Sequence, residues 1–227
     1  MLTRRHWLTG LAALPIAGEV LAGTDPPSGP NRGAPGSGRH RFAPRRSGRE
    51  VLRQRSFPNV VLTTSAGAKV KFYDDLLKGK IVILNLMYAN CNGICPTTTQ
   101  NLKRVRKLLH DEVDHDIFIY SITVKPEEDG PEQLADYARM HGVRDPNWLF
   151  LTGKPDEVDL LRHRLGFADP NPEIDRDKAR HSGMLRYGNE PLAIWGSCQA
   201  GAEPQWVAQE IQFAVPRVLK RRPRIND

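Results

Sequence analysis

The chain after about residue 57 alternates between short apolar runs and segments with helical spacing. Residues 81–87 are almost continuously apolar, which is typical of a strand buried on both faces of a parallel sheet. Between residues 97 and 110, apolar residues recur every three or four positions and predict an amphipathic helix. The same patterns predict the remaining elements, namely strands at 60–64, 70–72, 117–124, 148–151, 184–187 and 192–195, and helices that begin at 130, span 156–165 and begin near 205.

The order of these elements predicts an α/β protein. A hairpin comes first, strands and helices then alternate, and two strands and a helix complete the pattern. Alternating strands and helices favour parallel pairing through right-handed crossovers, while the last two strands add an antiparallel edge. The sequence therefore predicts a thioredoxin-like fold within residues 57–220: a central mixed, mostly parallel sheet flanked by helices, with an N-terminal β-hairpin extension.

The first 22 residues have the pattern of an export signal. Arg4 and Arg5 precede an apolar stretch that is too short to span a bilayer as a helix, and small residues ending at Ala22 predict cleavage there. The arginine pair resembles a twin-arginine signal. Residues 23–50 are rich in Pro, Gly, Ser and Arg and predict a disordered linker. We therefore expect an exported, periplasmic protein, or one tethered at the outer face of the inner membrane if the signal is uncleaved, without a clear transmembrane anchor.

The net charge of +7 lies in the N-terminal quarter of the chain. Residues 1–55 contain ten Arg and no Lys against Glu19, Asp25 and Glu50, whereas the remaining residues carry equal numbers of acidic and basic side chains. Globally basic proteins bind polyanions without a specific site. Because the predicted domain has no such excess, the charge pattern argues against nucleic acid as a partner.

Two of the three cysteines, Cys91 and Cys95, lie between the apolar strand at 81–87 and the following helix. The N-terminus of a helix carries a partial positive charge that favours thiolate over thiol, and Pro96 suits a first helical turn. In an exported chain such a pair forms a redox-active disulfide or binds a soft metal ion such as copper or zinc. A purely structural disulfide is the less favoured alternative. Cys198 is predicted to be a semi-buried small residue.

Histidine is the natural third ligand for a two-thiolate metal site. His110, His115, His141 and His163 lie in predicted helices or their flanking turns and are expected at the surface. His181 differs because it follows a long polar loop and directly precedes the predicted strand at 184–187. Taken alone, a histidine in that position is more often a solvated loop residue than a ligand.

Four segments, in this order, resemble the Sco/SenC family: Cys-x-x-x-Cys-Pro at 91–96 after ILNLMY, YSITV-x-PE-x-D at 120–129, WLFLTG at 148–153 and His-Ser-Gly at 181–183. The resemblance runs from about residue 57 to 213. It implies a thioredoxin-like copper protein whose ligands are Cys91, Cys95 and His181. It also implies a role in assembly of the copper centre of cytochrome c oxidase, with an oxidase subunit or another copper or thiol protein as partner.

Two hypotheses follow from this resemblance. The first is an exported assembly factor that binds copper, as Cu(I) or also Cu(II), and delivers Cu(I) to a respiratory oxidase. The alternative is a periplasmic thiol–disulfide oxidoreductase in which Cys91 attacks a partner disulfide and Cys95 resolves the intermediate. A peroxiredoxin-like or purely interacting domain is a third, weaker reading. The chain departs from the family pattern at Lys125, where Asp is usual, so that the local charge is reversed.

Overall fold

The computed structural model describes residues 47–91, 93–112, 116–178 and 183–215. The predicted export signal and the linker up to residue 46 lie outside these ranges. The described part begins with a helix, α1 (Gly48–Ser56), where the sequence predicts linker up to residue 50. The Ser47 hydroxyl caps this helix by accepting from the Glu50 amide, and Glu50 pairs with Arg53.

Seven strands form one sheet in the order β2-β1-β5-β4-β3-β6-β7. The strands are β1 (Val61–Thr64), β2 (Lys69–Lys71), β3 (Ile81–Met87), β4 (Ile117–Thr123), β5 (Trp148–Gly153), β6 (Met184–Asn189) and β7 (Ile194–Gln199). The helices that follow α1 are α2 (Ile94–Glu112), α3 (Pro131–Met140), α4 (Pro155–Arg164), α5 (Pro172–Arg176) and α6 (Pro204–Gln212). The predicted α/β, thioredoxin-like class is confirmed.

Parallel pairing is confined to the centre of the sheet. β3 pairs with β4, and β4 with β5, in parallel register. The other pairings in the described ranges, β1–β2, β1–β5, β3–β6 and β6–β7, are antiparallel. Short turns join β1 to β2 and β6 to β7, and such turns permit only antiparallel neighbours. The sheet is therefore mixed, with fewer parallel pairs than the sequence predicts.

The core lies on both sides of β3, whose seven residues are all buried. Helix α2 presents Leu102, Val105 and Leu109 to this core, as its periodicity predicts. The helix begins at Ile94, three residues before the predicted start, and this brings Cys95 into its first turn. Burying each of these large side chains contributes about 1.5–3 kcal/mol, so the strand and helix that flank the cysteines are anchored firmly.

The C-terminal hairpin differs from its prediction. β6 continues to Asn189 and β7 begins at Ile194, so the turn falls on residues 190–193 and not on 188–190. Gly188 lies in the strand opposite Trp195, and the position requires glycine because an added Cβ would lie 2.2 Å from the Trp195 ring. The Glu190 carboxylate fixes the turn by accepting from the Tyr73 hydroxyl and the Gly79 amide.

Candidate functional site

Cys91 and Cys95 lie at the junction of β3 and α2. The strand ends at Met87, a short turn follows, and the Cys91 amide donates to the Tyr88 carbonyl at 3.3 Å. Cys95 is the second residue of α2. The two residues are 5% and 1% exposed, whereas the neighbouring Ile94 is 42% exposed. The sulfurs are therefore shielded from water, while the turn that carries them lies at the surface.

The two cysteines have opposite electrostatic environments. Burial alone would raise the pKa of Cys91, but hydrogen bonds from the Cys95 thiol, from the Cys95 and Gly93 amides and from the Tyr88 hydroxyl outweigh it and lower that pKa. The pKa of Cys95 is raised, first by burial and then by its hydrogen bond to Cys91. Cys91 is thus the sulfur that carries negative charge more readily, and Cys95 is the one that holds its proton.

Tyr88 is a third member of the site that the sequence motif does not reveal. Its hydroxyl donates to Cys91, and its pKa is raised to about 12 by this hydrogen bond and by burial. The ammonium of Lys125 lies 4.7 Å from the centre of the Tyr88 ring. The sequence signals for Tyr88 are its position directly after the buried strand, one turn before the cysteine, and its place at the end of the ILNLMY segment.

Asp129 connects the cysteine turn to the end of β4. Its carboxylate is 1% exposed and accepts from the Ala89 amide at 2.9 Å and from the Thr123 hydroxyl at 2.5 Å. The sequence pattern of three consecutive acids indicates helix N-terminal charge at this point. In the structure Glu127 and Glu128 are exposed, and Asp129 alone turns inward.

His181 lies outside the described residues. Of the described residues that follow it, Gly183 lies beside Ile94, where an added Cβ would be 3.5 Å from Ile94 Cδ1. On the other side, the charge of Asp177 adds to the raised pKa of Tyr88, after the hydrogen bond to Cys91 and burial.

The other candidates lie apart from the pair. Cys198 is buried on β7 opposite Leu185, and its pKa is raised to about 11 by burial and by Glu210. His110 and His163 are exposed as predicted, and His141 is half-buried against the Tyr137 ring. His115 lies outside the described residues.

The described residues bring two soft donors together, the sulfurs of Cys91 and Cys95. No group of three or more His, Cys, Asp or Glu side chains within the described ranges is arranged to hold a metal ion. Thiolate sulfur suits Cu(I), and two thiolates with one imidazole form a trigonal set. The donor chemistry of the two sulfurs therefore fits a soft metal ion such as Cu(I).

None of the helices in the described ranges has the length and apolar character that a membrane crossing requires.

Comparison with known proteins places the chain among related sequences and folds. The SCO1/SenC family model matches residues 56–212. A SCO1 protein homolog of Bacillus subtilis is 38% identical over 77 residues, which are 34% of this chain and 39% of that protein, so the alignment spans less than half of the relative's length.

Two solved structures share the fold. BsSco, described as a member of the Sco family of cytochrome c oxidase assembly proteins with a disulfide switch, matches with a TM-score of 0.55 and 24% identity over 68% of this chain and 90% of its own. Yeast Sco1 with copper bound matches with a TM-score of 0.54 and 22% identity over 66% of this chain and 86% of its own.

Proposed function

The chain belongs to the SCO1/SenC family, and from this premise we propose that it is an exported copper-binding assembly factor. Cys91 and Cys95 supply thiolates, His181 supplies a neutral imidazole, and Cu(I) passes by ligand exchange to the copper centre of a respiratory oxidase.

The observation that carries this proposal is the buried, hydrogen-bonded sulfur pair at the start of α2. Cu(I) prefers soft sulfur ligands, and its ligands must be deprotonated. The lowered pKa of Cys91 favours the deprotonated form of one sulfur, and the bound ion itself would displace the proton from Cys95. The yeast relative that was solved with copper supports the same cargo.

The proposal assigns His181 as the third ligand. Support comes from Gly183, where an added Cβ would lie 3.5 Å from Ile94 Cδ1 at the start of α2, next to Cys95. His181 stands two residues before Gly183 in the sequence, and the resemblance includes it in the ligand set.

The test is a Cu(I) titration of the reduced full chain in competition with a chromophoric chelator. We expect one tight equivalent in the wild type and affinity lower by about an order of magnitude or more in His181→Ala, the loss of one good ligand being worth at least about 1.4 kcal/mol. The matched control is His110→Ala, which removes an exposed histidine near the C-terminal end of α2, more than four turns from Cys95. Absence of tight binding, or equal affinity in both variants, contradicts the three-ligand site.

A second function is favoured by the contrast between the two thiols. Cys91 has the lowered pKa of an attacking sulfur, and Cys95 is the protected thiol beside it. In an oxidoreductase, the Cys91 thiolate forms a bond to one sulfur of a partner disulfide and expels the other as a thiolate. Cys95 then attacks Cys91, which releases the reduced partner and leaves the Cys91–Cys95 disulfide.

His181→Ala and Cys95→Ser separate the two functions. In an oxidoreductase, His181→Ala retains dithiol reduction, and Cys95→Ser accumulates a mixed disulfide through Cys91 that appears as a mass increase under non-reducing conditions. If Cys95→Ser gives no mixed disulfide with a model disulfide substrate, the second function is excluded.

The proposed location is the periplasm or the outer face of the inner membrane. Residues 1–22 support it through the arginine pair, the short apolar stretch and the small residues at the expected cut. Fractionation of cells that express the full chain, compared with Arg4→Lys/Arg5→Lys, tests this: export that survives the double replacement contradicts the twin-arginine route.

A further inference from the structure

Lys125 places a positive charge over the ring that hydrogen-bonds to Cys91. Its ammonium is 4.7 Å from the centre of the Tyr88 ring, and the Tyr88 hydroxyl donates to the Cys91 sulfur. A cation at this distance from an aromatic face is attracted to the ring and draws its electron density. One line of contact therefore runs from the solvent to the buried sulfur, through Lys125, Tyr88 and Cys91.

The structure holds Lys125 in this position. Its backbone amide donates to the Thr123 hydroxyl at 3.0 Å, and that hydroxyl in turn donates to buried Asp129. Its side chain is 28% exposed and lies 3.3 Å from a carboxylate oxygen of Glu128. The backbone is thus fixed to the same network as the cysteine turn, and the partly exposed ammonium has two partners, an exposed carboxylate and the Tyr88 ring.

We propose that Lys125 is a positioning residue for the dithiol, which acts through Tyr88 to stabilise negative charge on Cys91. The proposal rests on the proposed function only in taking Cys91 and Cys95 as the working pair. A polarised phenol is a stronger hydrogen-bond donor, and a donor aimed at sulfur favours the reduced over the disulfide form. Two thiolates with one Cu(I) carry a net negative charge, so the same arrangement favours the copper-bound form.

A purely structural role is the alternative that the experiment must exclude. Lys125 also forms a surface ion pair with Glu128, and such pairs contribute little to stability. If this were its whole role, neutralising Lys125 would change neither the redox equilibrium nor copper affinity.

The chain offers a matched control. The ammonium of Lys80 lies 4.7 Å from the centre of the Phe118 ring, the same distance as in the Lys125–Tyr88 pair. Phe118 has no hydroxyl and pairs with Val82 in the sheet, away from the cysteine turn. Lys80→Met therefore removes one charge and one cation–π contact without touching the proposed line of contact.

The first measurement is the redox equilibrium of the copper-free full chain with glutathione at one fixed pH. In this reaction the Cys91–Cys95 bond forms, the bond of glutathione disulfide breaks, and two glutathione thiols are released with the protein's two protons. We expect Lys125→Met to favour the disulfide by about three- to tenfold, a potential lower by about 14–30 mV. Lys125→Arg restores the wild-type value, and Lys80→Met does not shift it.

The second measurement repeats the comparison in a Tyr88→Phe background. Because Lys125 acts through the hydroxyl, Lys125→Met should add less than about twofold there. A full Lys125 effect without the hydroxyl, no effect in the wild-type background, or an equal effect of Lys80→Met would each overturn the proposal.

Copper affinity of the same variants separates this inference from the proposed function. If the wild type binds Cu(I) tightly and Lys125→Met leaves the redox equilibrium unchanged, this inference is wrong and the proposed function is unaffected. If the wild type binds Cu(I) weakly and Lys125→Met gives the expected redox shift, the copper function is wrong. Lys125 is then still a determinant of the thiol chemistry.

Discussion

At the scale of single residues, Asp129 shows how one buried carboxylate can set the geometry of a site that it does not touch. The carboxylate accepts from the Ala89 amide, in the turn between Tyr88 and Cys91, and from the Thr123 hydroxyl at the end of β4. A buried carboxylate is costly unless it is fully hydrogen-bonded. Both contacts are made by Oδ2 of Asp129, and they fix the cysteine turn relative to the neighbouring strand.

Removing this carboxylate should destabilise the protein. Asp129→Ala removes the acceptor of the half-buried Ala89 amide and of the buried Thr123 hydroxyl, and we expect a loss of about 2–4 kcal/mol in the free energy of unfolding. Urea denaturation measures it. Glu127→Ala is the matched control, because it removes an exposed carboxylate two residues away and should cost no more than about 0.5 kcal/mol. Equal losses in the two variants would show that Asp129 has no structural role.

At the scale of elements, an ionic cluster attaches α5 to α4 just before the segment that carries His181. Arg162 on α4 is buried and binds Asp175 on α5 and Asp159 on its own helix. Lys178 reaches back to Asp159 at 2.9 Å. The short helix α5, which the sequence suggests is a polar loop, is therefore held by charge and by the Asn171 cap, and not by an apolar face.

This cluster predicts a pH dependence of stability. The Arg162 guanidinium holds the pKa of Asp175 well below its usual range. A carboxyl whose pKa is depressed by folding contributes its full stability above the unfolded pKa of about 4 and loses it as the pH falls further. Asp175→Asn should therefore lower the free energy of unfolding by about 1.5–3 kcal/mol at neutral pH. The difference in the free energy of unfolding between this variant and the wild type should become smaller as the pH falls.

Urea midpoints measured from neutral to acid pH test this expectation. Asp136→Asn is the control, because Asp136 pairs with Arg139 on the exposed face of α3 and should matter by less than about 1 kcal/mol at any pH. A difference between Asp175→Asn and wild type that stays constant down to acid pH would contradict the assignment of the ionised carboxylate.

At the scale of the whole molecule, hydrophobic periodicity predicts the central elements and fails at the edges. β3 has the bounds that its apolar run predicts, and β4 differs by one residue, because strands buried on both faces leave an unambiguous pattern. α1 and α5 are missed because caps and ion pairs stabilise them, and these leave no periodic signal. The cysteine pair is found because it is local in sequence.

Tyr88, Lys125 and Asp129 could not be predicted as parts of the same site. They follow two different strands, β3 and β4, and only the parallel pairing of those strands brings their carboxyl ends together. Sequence spacing carries no record of that pairing. A resemblance can transfer Cys91, Cys95 and His181 as a set, but it gives no account of Lys125, whose charge departs from the family pattern.

The same architecture predicts how copper should couple to global stability. The pair joins β3 to α2, two anchored elements of the core, so an ion held there binds the folded chain far better than the unfolded one. With free Cu(I) buffered about 100-fold above the Kd, the folded state gains about 2.7 kcal/mol, which for a domain of this size raises Tm by about 5–10 °C. Cys198→Ser should show the same rise, because Cys198 lies apart from the pair on β7, whereas Cys91→Ser should show little or none. Differential scanning calorimetry of the reduced variants distinguishes them. If the rise in Tm disappears in Cys198→Ser and persists in Cys91→Ser, the metal binds elsewhere and the β3–α2 junction is not the copper site.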